Sequence, residues 1–323
     1  MAGAQQSLLV TGAAGFIGSH VAQALAARGD RVIGLDNFDS FYDRGVKQAN
    51  VGEVERAAAG RFQFVEGDIC DATAMQRLFD AERFTGVIHL AARAGVRPSI
   101  ADPVLYARVN VEGTTVLLEA VRRARVPRFV LASSSSVYGD AEKVPFAEDD
   151  DVSRPISPYA ATKRACELIG ATFHQLYALP VACLRFFTVY GPRQRPDLAI
   201  AQFLRRISAG QSITLYGDGS TSRDYTYIDD IVAGVLAAYD RVDRFGYRIW
   251  NLGGSNPVTL TDLVGVVERT VGRRAEIERR PEQAGDVRRT FADLARSRAE
   301  LGYSPATTLE EGIRRQWAWG WAR

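Results

Sequence analysis

The stretch SLLVTGAAGFIGSHVAQALAARGDRVIGLDN, residues 7–37, decides the fold of this chain. Its apolar run LLV is typical of a buried strand, and RVIGLD predicts a second strand. A helix is predicted over residues 19–28 between them, followed by Gly29, a residue suited to cap its C-terminus. The turn before this helix carries three glycines at intervals of three residues: Gly12, Gly15 and Gly18. The stretch therefore predicts a strand, a glycine turn, a helix and a second strand.

This arrangement is suited to binding a dinucleotide. Glycines permit a tight turn and a close approach of the backbone to a pyrophosphate, and the helix N-terminus offers free N–H groups and a positive dipole end. Asp36, at the end of the second strand, can accept hydrogen bonds from the adenosine ribose and would repel a 2′-phosphate, which favours NAD over NADP. Because the spacing G-x-x-G-x-x-G departs from G-x-G-x-x-G, the prediction also depends on the flanking strands and on Asp36.

Strands and helices continue to alternate after this unit. Strands are predicted within FQFVEGDICD (62–71), GVIHLAARAG (86–95) and RFVLASSSSVYG (128–139), and an amphipathic helix over residues 110–126. Alternation of this kind predicts an α/β fold with a Rossmann-type, doubly wound parallel sheet. Ligands of such sheets bind beyond the carboxyl ends of the strands, so candidate site residues are expected there.

Composition limits the classes of function. The chain has 323 residues, of which 46% are apolar, and this favours a large α/β domain with a smaller companion over disorder. Its 40 basic and 38 acidic residues give a net charge of +2, which is no signature of nucleic-acid binding. The N-terminus lacks the charge of a signal peptide, and no apolar stretch approaches the roughly 18 residues of a membrane span.

The spacing of the three cysteines indicates the redox environment of the protein. Cys70, Cys166 and Cys183 lack the spacing of metal ligands and cannot all pair with one another, which suits a reducing environment. We therefore expect a cytoplasmic protein that binds no metal, no nucleic acid and no membrane.

A second motif, SPYAATKRA at residues 157–165, carries the candidate chemistry. Ser157 and Pro158 are typical of a helix start, and residues four apart share a helix face, so Tyr159 and Lys163 point the same way. A tyrosine with its ordinary pKa near 10 is a poor base at neutral pH, but a nearby cation stabilises the phenolate. The pair can therefore act as a general base toward a substrate hydroxyl, and Ser134, at a strand end, can supply a further hydroxyl donor.

Taken together, these segments resemble the extended short-chain dehydrogenases/reductases, and within them the nucleotide-sugar epimerases. The resemblance runs from about residue 7 to the C-terminal LGYSPATTLEEGI, and is carried by TGAAGFIGSH, LDN, GDICD, HLAA, SSSSVYG, SPYAATKRACE, LRFFTVYGP and RDYTYIDDIV. It implies Ser134, Tyr159 and Lys163 as the catalytic residues and a tightly held NAD that is recycled in each turnover. It also implies a homodimer that packs through the helices near residues 104–122 and 159–177.

The expected NAD contacts follow from the strand ends and from this resemblance. Asp68 and Ile69 are expected to meet the adenine, Leu90–Ala92 to pass beneath the cofactor and Lys163 to bind the nicotinamide ribose. The predicted cofactor-binding residues are Gly12, Gly15, Phe16, Ile17, Gly18, Asp36, Asn37, Asp68, Ile69, Leu90, Ala91, Ala92, Asn110, Tyr159 and Lys163.

Two segments indicate the reaction within the family. The 4,6-dehydratases carry an Asp–Glu pair just before the VYG motif, and the UDP-glucuronate decarboxylases carry a glutamate at the position of Ser136, whereas Ser135 and Ser136 are neutral here. LRFFTVYGPRQRPDLAI (184–200) is similar to the UDP-glucuronate 4-epimerases, with Thr188 where UDP-glucose 4-epimerases commonly have asparagine. We therefore expect Ser134, Ser135, Ser136 and Thr188 to surround a C6 carboxylate.

Arginines are expected to hold the rest of the substrate. Arg195 is expected to hold the sugar or its loop, although Arg193 and Arg195 are equally typical of solvated loop charges. Arg223 is placed to pair with a diphosphate, because the planar fork of arginine suits phosphate oxygens. The resemblance further implies Asp286 and Arg288 at the ribose and phosphates, and residues 213–219 around the uracil.

The sequence thus predicts an NAD-dependent 4-epimerase that converts UDP-glucuronate to UDP-galacturonate through a 4-keto sugar. A UDP-glucose/galactose 4-epimerase, a UDP-glucuronate decarboxylase and a non-catalytic NAD-binding regulator remain alternatives. An NAD-binding domain is predicted over 1–188 and 225–255, and a smaller C-terminal α/β substrate domain over 189–224 and 256–323.

Overall fold

The computed structural model describes residues 6–281 and 287–321. The strands are β1 (Ser7–Thr11), β2 (Arg31–Asp36), β3 (Phe62–Glu66), β4 (Gly86–His89), β5 (Phe129–Ser134), β6 (Val181–Phe186), β7 (Thr188–Tyr190), β8 (Ile213–Tyr216), β9 (Ser222–Tyr227), β10 (Tyr247–Leu252), β11 (Pro257–Thr259) and β12 (Ile277–Arg280). The helices are α1 (Phe16–Arg28), α2 (Arg44–Ala57), α3 (Ala72–Ala81), α4 (Val96–Ala101), α5 (Pro103–Tyr106), α6 (Gly113–Ala124), α7 (Pro158–Tyr177), α8 (Ala199–Ser208), α9 (Ile228–Arg241), α10 (Leu260–Val271), α11 (Ala295–Leu301) and α12 (Leu309–Trp321).

Seven strands form one parallel sheet in the order β10-β6-β5-β4-β1-β2-β3. Strand β1 lies between β2 and β4, with Val10 opposite both Gly34 and Ile88. The strand order reverses at this point, and in doubly wound sheets the crevice there binds ligands. The predicted Rossmann-type fold class is confirmed.

Helix α1 begins at Phe16, three residues before the predicted start. The prediction was wrong because Gly18 lies inside the first helical turn rather than before it. A side chain on Gly18 would place its Cβ atom 2.0 Å from the carbonyl oxygen of Gly12, so only glycine allows the helix to pack this closely on the turn. The helix ends as predicted, with Gly29 in the left-handed conformation at φ 104°.

The predicted helix over 110–126 is also longer and less regular than expected. Residues 107–112 form a π-helical segment that leads directly into α6. Arg125 ends the helix in the left-handed conformation, at φ 55°.

Smaller sheets lie beyond the main one. Strands β11, β9 and β7 form a three-stranded sheet and β12 pairs with β8, while α8 packs on β8 and α12 packs on α10. The predicted domain boundaries at 188/189 and 224/225 fall within β7 and β9, two strands that pair in parallel. The division into two domains stays a prediction.

Helix α7 starts as the sequence predicts. The hydroxyl of Ser157 accepts a hydrogen bond of 3.1 Å from the backbone N–H of Ala160, and Pro158 occupies the first turn. The buried face of the helix carries Lys163 and Glu167 one turn apart. This face lies against the ends of β5 and β6.

Buried polar contacts fix α7 to these strands. Glu167 pairs with Arg185 of β6 at 2.8 and 3.0 Å and accepts a hydrogen bond of 2.6 Å from Ser133 of β5. Burial by itself raises the pKa of Glu167, but the hydrogen bonds and charge of Arg185 outweigh it and bring the pKa below its ordinary value. The side chains of Glu167 and Arg185 are 0% and 1% exposed, so each charge depends on the other.

The described residues offer neither a membrane-spanning helix nor a cluster of metal ligands. Within 6–281 and 287–321, no helix is long and apolar enough to cross a membrane. The same residues contain no group of three or more His, Cys, Asp or Glu side chains that could hold a metal ion. All three cysteines are free thiols.

The buried pair predicts a measurable effect on stability. Glu167→Ala leaves Arg185 buried without its carboxylate, so we expect the free energy of unfolding to fall by about 3–5 kcal/mol. Glu66→Ala is the matched control, because it breaks an exposed pair with Arg44 and costs at most about 1 kcal/mol. Urea unfolding followed by circular dichroism measures both, and equal losses in the two variants would contradict the assignment.

Candidate active site

A cavity of about 350 Å³ opens at the carboxyl ends of the central parallel strands. It contains every predicted cofactor-binding residue except Asn110. These residues are Gly12, Gly15, Phe16, Ile17, Gly18, Asp36, Asn37, Asp68, Ile69, Leu90, Ala91, Ala92, Tyr159 and Lys163. The residues that the sequence assigns to the cofactor therefore come together in one place.

The glycine turn forms a cradle in this cavity. Gly12 has φ 71°, and a Cβ atom there would lie 2.7 Å from the backbone nitrogen of Ala91. Gly15 caps α1 without a side chain, so the first N–H groups of the helix stay available to an anion. The cradle has the shape and polarity that a dinucleotide pyrophosphate requires.

The end of β2 supplies the acidic group. The two carboxylate oxygens of Asp36 accept hydrogen bonds from the backbone N–H groups of Ala14, at 3.2 Å, and Phe38, at 2.9 Å. Burial raises the pKa of Asp36, and the positive charge of Lys47 opposes that shift. These bonds fix the carboxylate beside the glycine turn, where a ribose hydroxyl of a dinucleotide would lie.

Asn110 lies behind the cavity wall. Its side chain is 1% exposed, accepts a hydrogen bond of 2.8 Å from the N–H of Arg93, and donates to the Arg93 carbonyl and to the Thr162 hydroxyl, both at 3.0 Å. It therefore ties the loop after β4 to helix α7. A direct contact with the cofactor stays a prediction.

The three predicted catalytic residues line the same cavity. Lys163 donates a hydrogen bond of 2.8 Å from Nζ to the carbonyl oxygen of Ala132, and Tyr159 lies one turn before it on α7. The hydroxyl of Ser134, at the end of β5, accepts a hydrogen bond of 3.1 Å from the N–H of Ser136. A phenol, an ammonium and a hydroxyl thus converge on one space, which is the arrangement that base-assisted oxidation of an alcohol requires.

Two further cavities adjoin this one. The second, of about 380 Å³, is lined by Arg97, Arg223 and Arg288, and the third, of about 150 Å³, is lined by Ser135 and Ser136. Thr188 lines all three cavities, and Arg223 lines the second and third. Thr188 therefore lies where the three cavities join, and it shares the third cavity with Ser135, Ser136 and Arg223 and the first with the three predicted catalytic residues.

The remaining predicted substrate residues differ in their surroundings. Arg195 lines the first cavity, pairs with Asp197 at 2.7 Å and lies with its guanidinium carbon 4.9 Å from the ring centre of Phe41. The side chain of Arg288 is 73% exposed, at 3.3 Å from Asp140. Asp286 lies outside the described residues.

Several cavity residues were missed by the sequence analysis. Asp39 and Phe41 follow β2, whereas Arg93 and Arg97 follow β4. Arg93 forms an ion pair with Asp39, and the guanidinium carbon of Arg97 lies 4.6 Å from the ring centre of Tyr216. Their place just after the carboxyl ends of parallel strands is the signal that could have identified them.

His89 has a structural environment. Its ring nitrogens make hydrogen bonds to the hydroxyls of Thr11, at 2.7 Å, and Thr114, at 2.9 Å. Burial lowers its pKa to about 3, so the ring is neutral.

Sequence comparison places these features in a known family. The GDP-mannose 4,6-dehydratase family model matches residues 9–316. The UDP-glucuronate 4-epimerase 5 of Arabidopsis thaliana is 46% identical, over 97% of this chain and 75% of that protein. The UDP-glucuronate 4-epimerase of Thermodesulfobacterium geofontis is 41% identical, over 96% of this chain and 95% of that protein.

Solved structures agree with this placement. The UDP-glucuronic acid 4-epimerase of Bacillus cereus, in complex with UDP-glucuronic acid and NAD, superposes with a TM-score of 0.90 at 35% identity, over 97% of this chain and 98% of that one. The UDP-glucose 4-epimerase of Thermus thermophilus, in complex with NAD, gives a TM-score of 0.87 at 34% identity, over 97% and 98% of the two chains. The chain therefore belongs to the GDP-mannose 4,6-dehydratase family of extended short-chain dehydrogenases/reductases, in which its similar relatives include UDP-glucuronate 4-epimerases.

Proposed function

We propose that this protein is an NAD-dependent 4-epimerase that converts UDP-glucuronate to UDP-galacturonate through a transient 4-keto sugar. One observation carries the proposal: Thr188 and the uncharged serines Ser134–Ser136 meet where the three cavities join, beside Tyr159 and Lys163. The similarity to UDP-glucuronate 4-epimerases of plants and bacteria supports the same substrate.

The cofactor site is assigned to the first cavity. Its glycine turn and the N-terminus of α1 hold the pyrophosphate, Asp36 binds the adenosine ribose, and Asp68 with Ile69 contacts the adenine. NAD bound there would supply a hydride acceptor for C4 of the sugar and a hydride donor for the 4-keto sugar. Lys163 binds the nicotinamide ribose, a role for which its place on the cavity wall is suited.

Tyr159 removes the proton from O4 of the sugar. The ammonium of Lys163, which the Ala132 carbonyl holds in place, stabilises the phenolate that accepts this proton. Ser134 donates a hydrogen bond to O4 and so orients the sugar. When the 4-keto sugar has turned its other face to the cofactor, Tyr159 returns the proton to O4 with the configuration at C4 inverted.

The uncharged serines explain the choice of reaction. Hydroxyls of Ser135, Ser136 and Thr188 can donate hydrogen bonds to the C6 carboxylate, whereas a carboxylate side chain would repel it. The Asp–Glu pair of the dehydratases and the glutamate of the decarboxylases are both replaced by serines here. We therefore do not expect this protein to catalyse dehydration, although the family takes its name from a dehydratase.

The second cavity is assigned to the nucleotide. Arg223 and Arg97 present guanidinium groups that suit the diphosphate, and residues 213–219 bracket the uracil. Arg288, whose side chain is 73% exposed beside Asp140, is assigned to the phosphates. Asp286 lies outside the described residues, and its place near the ribose stays a prediction.

A second candidate is UDP-glucose 4-epimerase activity. The observation that favours it is the same uncharged cluster, because hydroxyls can also bind a neutral CH₂OH group. Incubation with UDP-glucuronate and, separately, with UDP-glucose, followed by NMR of the products, distinguishes the two. We expect UDP-galacturonate from the first; turnover of UDP-glucose alone would overturn the proposal.

We also propose a homodimer in the cytoplasm. Large apolar side chains are exposed on the α5 and α7 helices, through which a dimer is expected: Val104 is 77% exposed, Leu176 65% and Leu168 53%. The three free thiols suit a reducing compartment.

The general base can be tested by Tyr159→Phe. Because phenylalanine cannot accept the O4 proton, we expect epimerisation to slow by at least about 10²–10⁴-fold, with unchanged circular dichroism. Tyr177→Phe, on the same helix but half exposed, is the matched control and should keep full activity. Near-normal turnover by the Tyr159 variant, measured by NMR, would refute the role.

The carboxylate site predicts a side product. The 4-keto intermediate is a β-keto acid, which loses carbon dioxide when the C5–C6 bond stands perpendicular to the carbonyl. Ser135→Ala and Arg195→Ala loosen the carboxylate, so we expect some 4-keto pentose in place of UDP-galacturonate. Arg205 is exposed on α8, so Arg205→Ala serves as the control and should yield no 4-keto pentose. If mass spectrometry finds no 4-keto pentose in either site variant, this arrangement is contradicted.

The dimer is tested by Leu168→Asp/Leu176→Asp. A charge on the apolar face opposes its burial, so we expect a monomer of about half the wild-type mass by light scattering. A wild-type mass that equals the monomer would reject the proposal directly.

A further inference from the structure

The loop over residues 191–198 joins β7 to α8 and carries Arg195 into the first cavity. Arg193 lies two residues before Arg195, and the sequence left it open whether it is a solvated charge. The structure shows the opposite environment, because Arg193 is only 7% exposed.

Arg193 fastens the loop to the helices behind the cofactor cavity. Its Nε lies 2.6 Å from Oε2 of Glu53 on α2, and its Nη2 donates a hydrogen bond of 2.5 Å to Oε1 of Gln23 on α1. The side chain of Glu53 is itself 11% exposed, so this is a largely dehydrated ion pair between distant parts of the chain.

A second contact also joins the loop to α1. The Nε2 atom of His20, also on α1, lies 2.9 Å from the carbonyl oxygen of Pro192. Burial, with a further contribution from the charge of Arg193, lowers the pKa of His20 to about 4. The ring is therefore neutral at pH 7, and its N–H group donates to Pro192.

The backbone of the loop is unusual at the same point. Arg193 has φ 62°, in the left-handed region that non-glycine residues rarely adopt. Gly191 has φ 141°, and a Cβ atom there would lie 2.5 Å from Cγ2 of Ile228. A turn of this shape persists only where its surroundings hold it.

The other side of the loop is fixed to α12. Gln316 accepts a hydrogen bond of 3.0 Å from the N–H of Gly191 and donates one of 2.8 Å to Gln194. Gln194 in turn donates to the carbonyl oxygen of Val189 at 3.1 Å. The loop is thus held between α12 and the pair of helices α1 and α2.

We propose that the Arg193–Glu53 pair is a positioning device, which holds the 191–198 loop on α1 and α2 so that Arg195 projects into the cavity beside Thr188. The ion pair of Arg195 is with Asp197 in the same loop, so that pair moves with the loop. Arg193 lines none of the three cavities and acts only through Arg195. The consequence for catalysis rests on the proposed function, whereas the effect on the loop does not.

The test uses Arg193→Met/Glu53→Leu in the NAD-loaded protein. Replacing both charges avoids leaving either one buried alone, so this variant is expected to fold. The matched control is Arg31→Met/Glu82→Leu, which removes an ion pair at the opposite, amino-terminal edge of the sheet. Amide hydrogen exchange, bound NAD, kcat/KM for UDP-glucuronate and the yield of 4-keto pentose are measured for both.

We expect faster exchange within residues 191–198, unchanged NAD content, a fall in kcat/KM of about 100-fold and some 4-keto pentose, because a small displacement of Arg195 misaligns the sugar. Arg193→Met alone should give the same kinetic loss, since the two charges act as a unit. The control should match the wild type in all four measurements.

The outcomes separate the two proposals. Wild-type exchange in the 191–198 loop of the double variant, or loss of its NAD, would overturn the positioning role whatever the substrate. If exchange rises but the wild-type protein does not epimerise UDP-glucuronate, the proposed function fails and the positioning of the loop stands.

Discussion

Helix α7 is held across the ends of β5 and β6 by buried polar contacts, and the active site depends on this attachment. Tyr159, Lys163 and Glu167 follow one another at four-residue intervals and so share one face of the helix. Glu167 binds Ser133 and Arg185, while Lys163 binds the carbonyl of Ala132. The same face therefore fixes the helix and carries the proposed base, Tyr159. Because Ser133 directly precedes Ser134 in the chain, the same contacts fix the position of Ser134 relative to the phenol of Tyr159.

The site combines a charged residue, Lys163, with a group of uncharged hydroxyl side chains. The ammonium of Lys163 and the phenol of Tyr159 line one cavity, and the surface proposed for the sugar carboxylate carries the hydroxyls of Ser135, Ser136 and Thr188. Hydroxyls bind a carboxylate without offering an acid or base that would carry out elimination or decarboxylation. Thr188 lines all three cavities, so one residue lies at the junction of the spaces proposed for the cofactor, the sugar and the nucleotide. This division of charge suits a reaction that must oxidise C4 and leave C6 intact.

Much of this could be predicted from the sequence, because the decisive patterns are local. The glycine turn, Asp36 and the Tyr159–Lys163 spacing are each contained within one strand–helix unit or one helix, where periodicity and turn chemistry are readable. The start of α1 was missed because it depends on the contact of Gly18 with Gly12 in three dimensions. The environment of Arg193 could not be predicted because its partner Glu53 is 140 residues away in the chain. Arg97 was missed for a similar reason, since its cavity is completed by Tyr216 from a distant strand.

A crystal structure of the protein with NAD and UDP-glucuronate would show whether Tyr159 reaches the sugar. We expect the phenolic oxygen of Tyr159 within about 2.6–3.2 Å of O4 of the sugar, with the C6 carboxylate among Ser135, Ser136 and Thr188. A sugar bound with O4 beyond the reach of Tyr159, or with its carboxylate turned away from the serines, would contradict it.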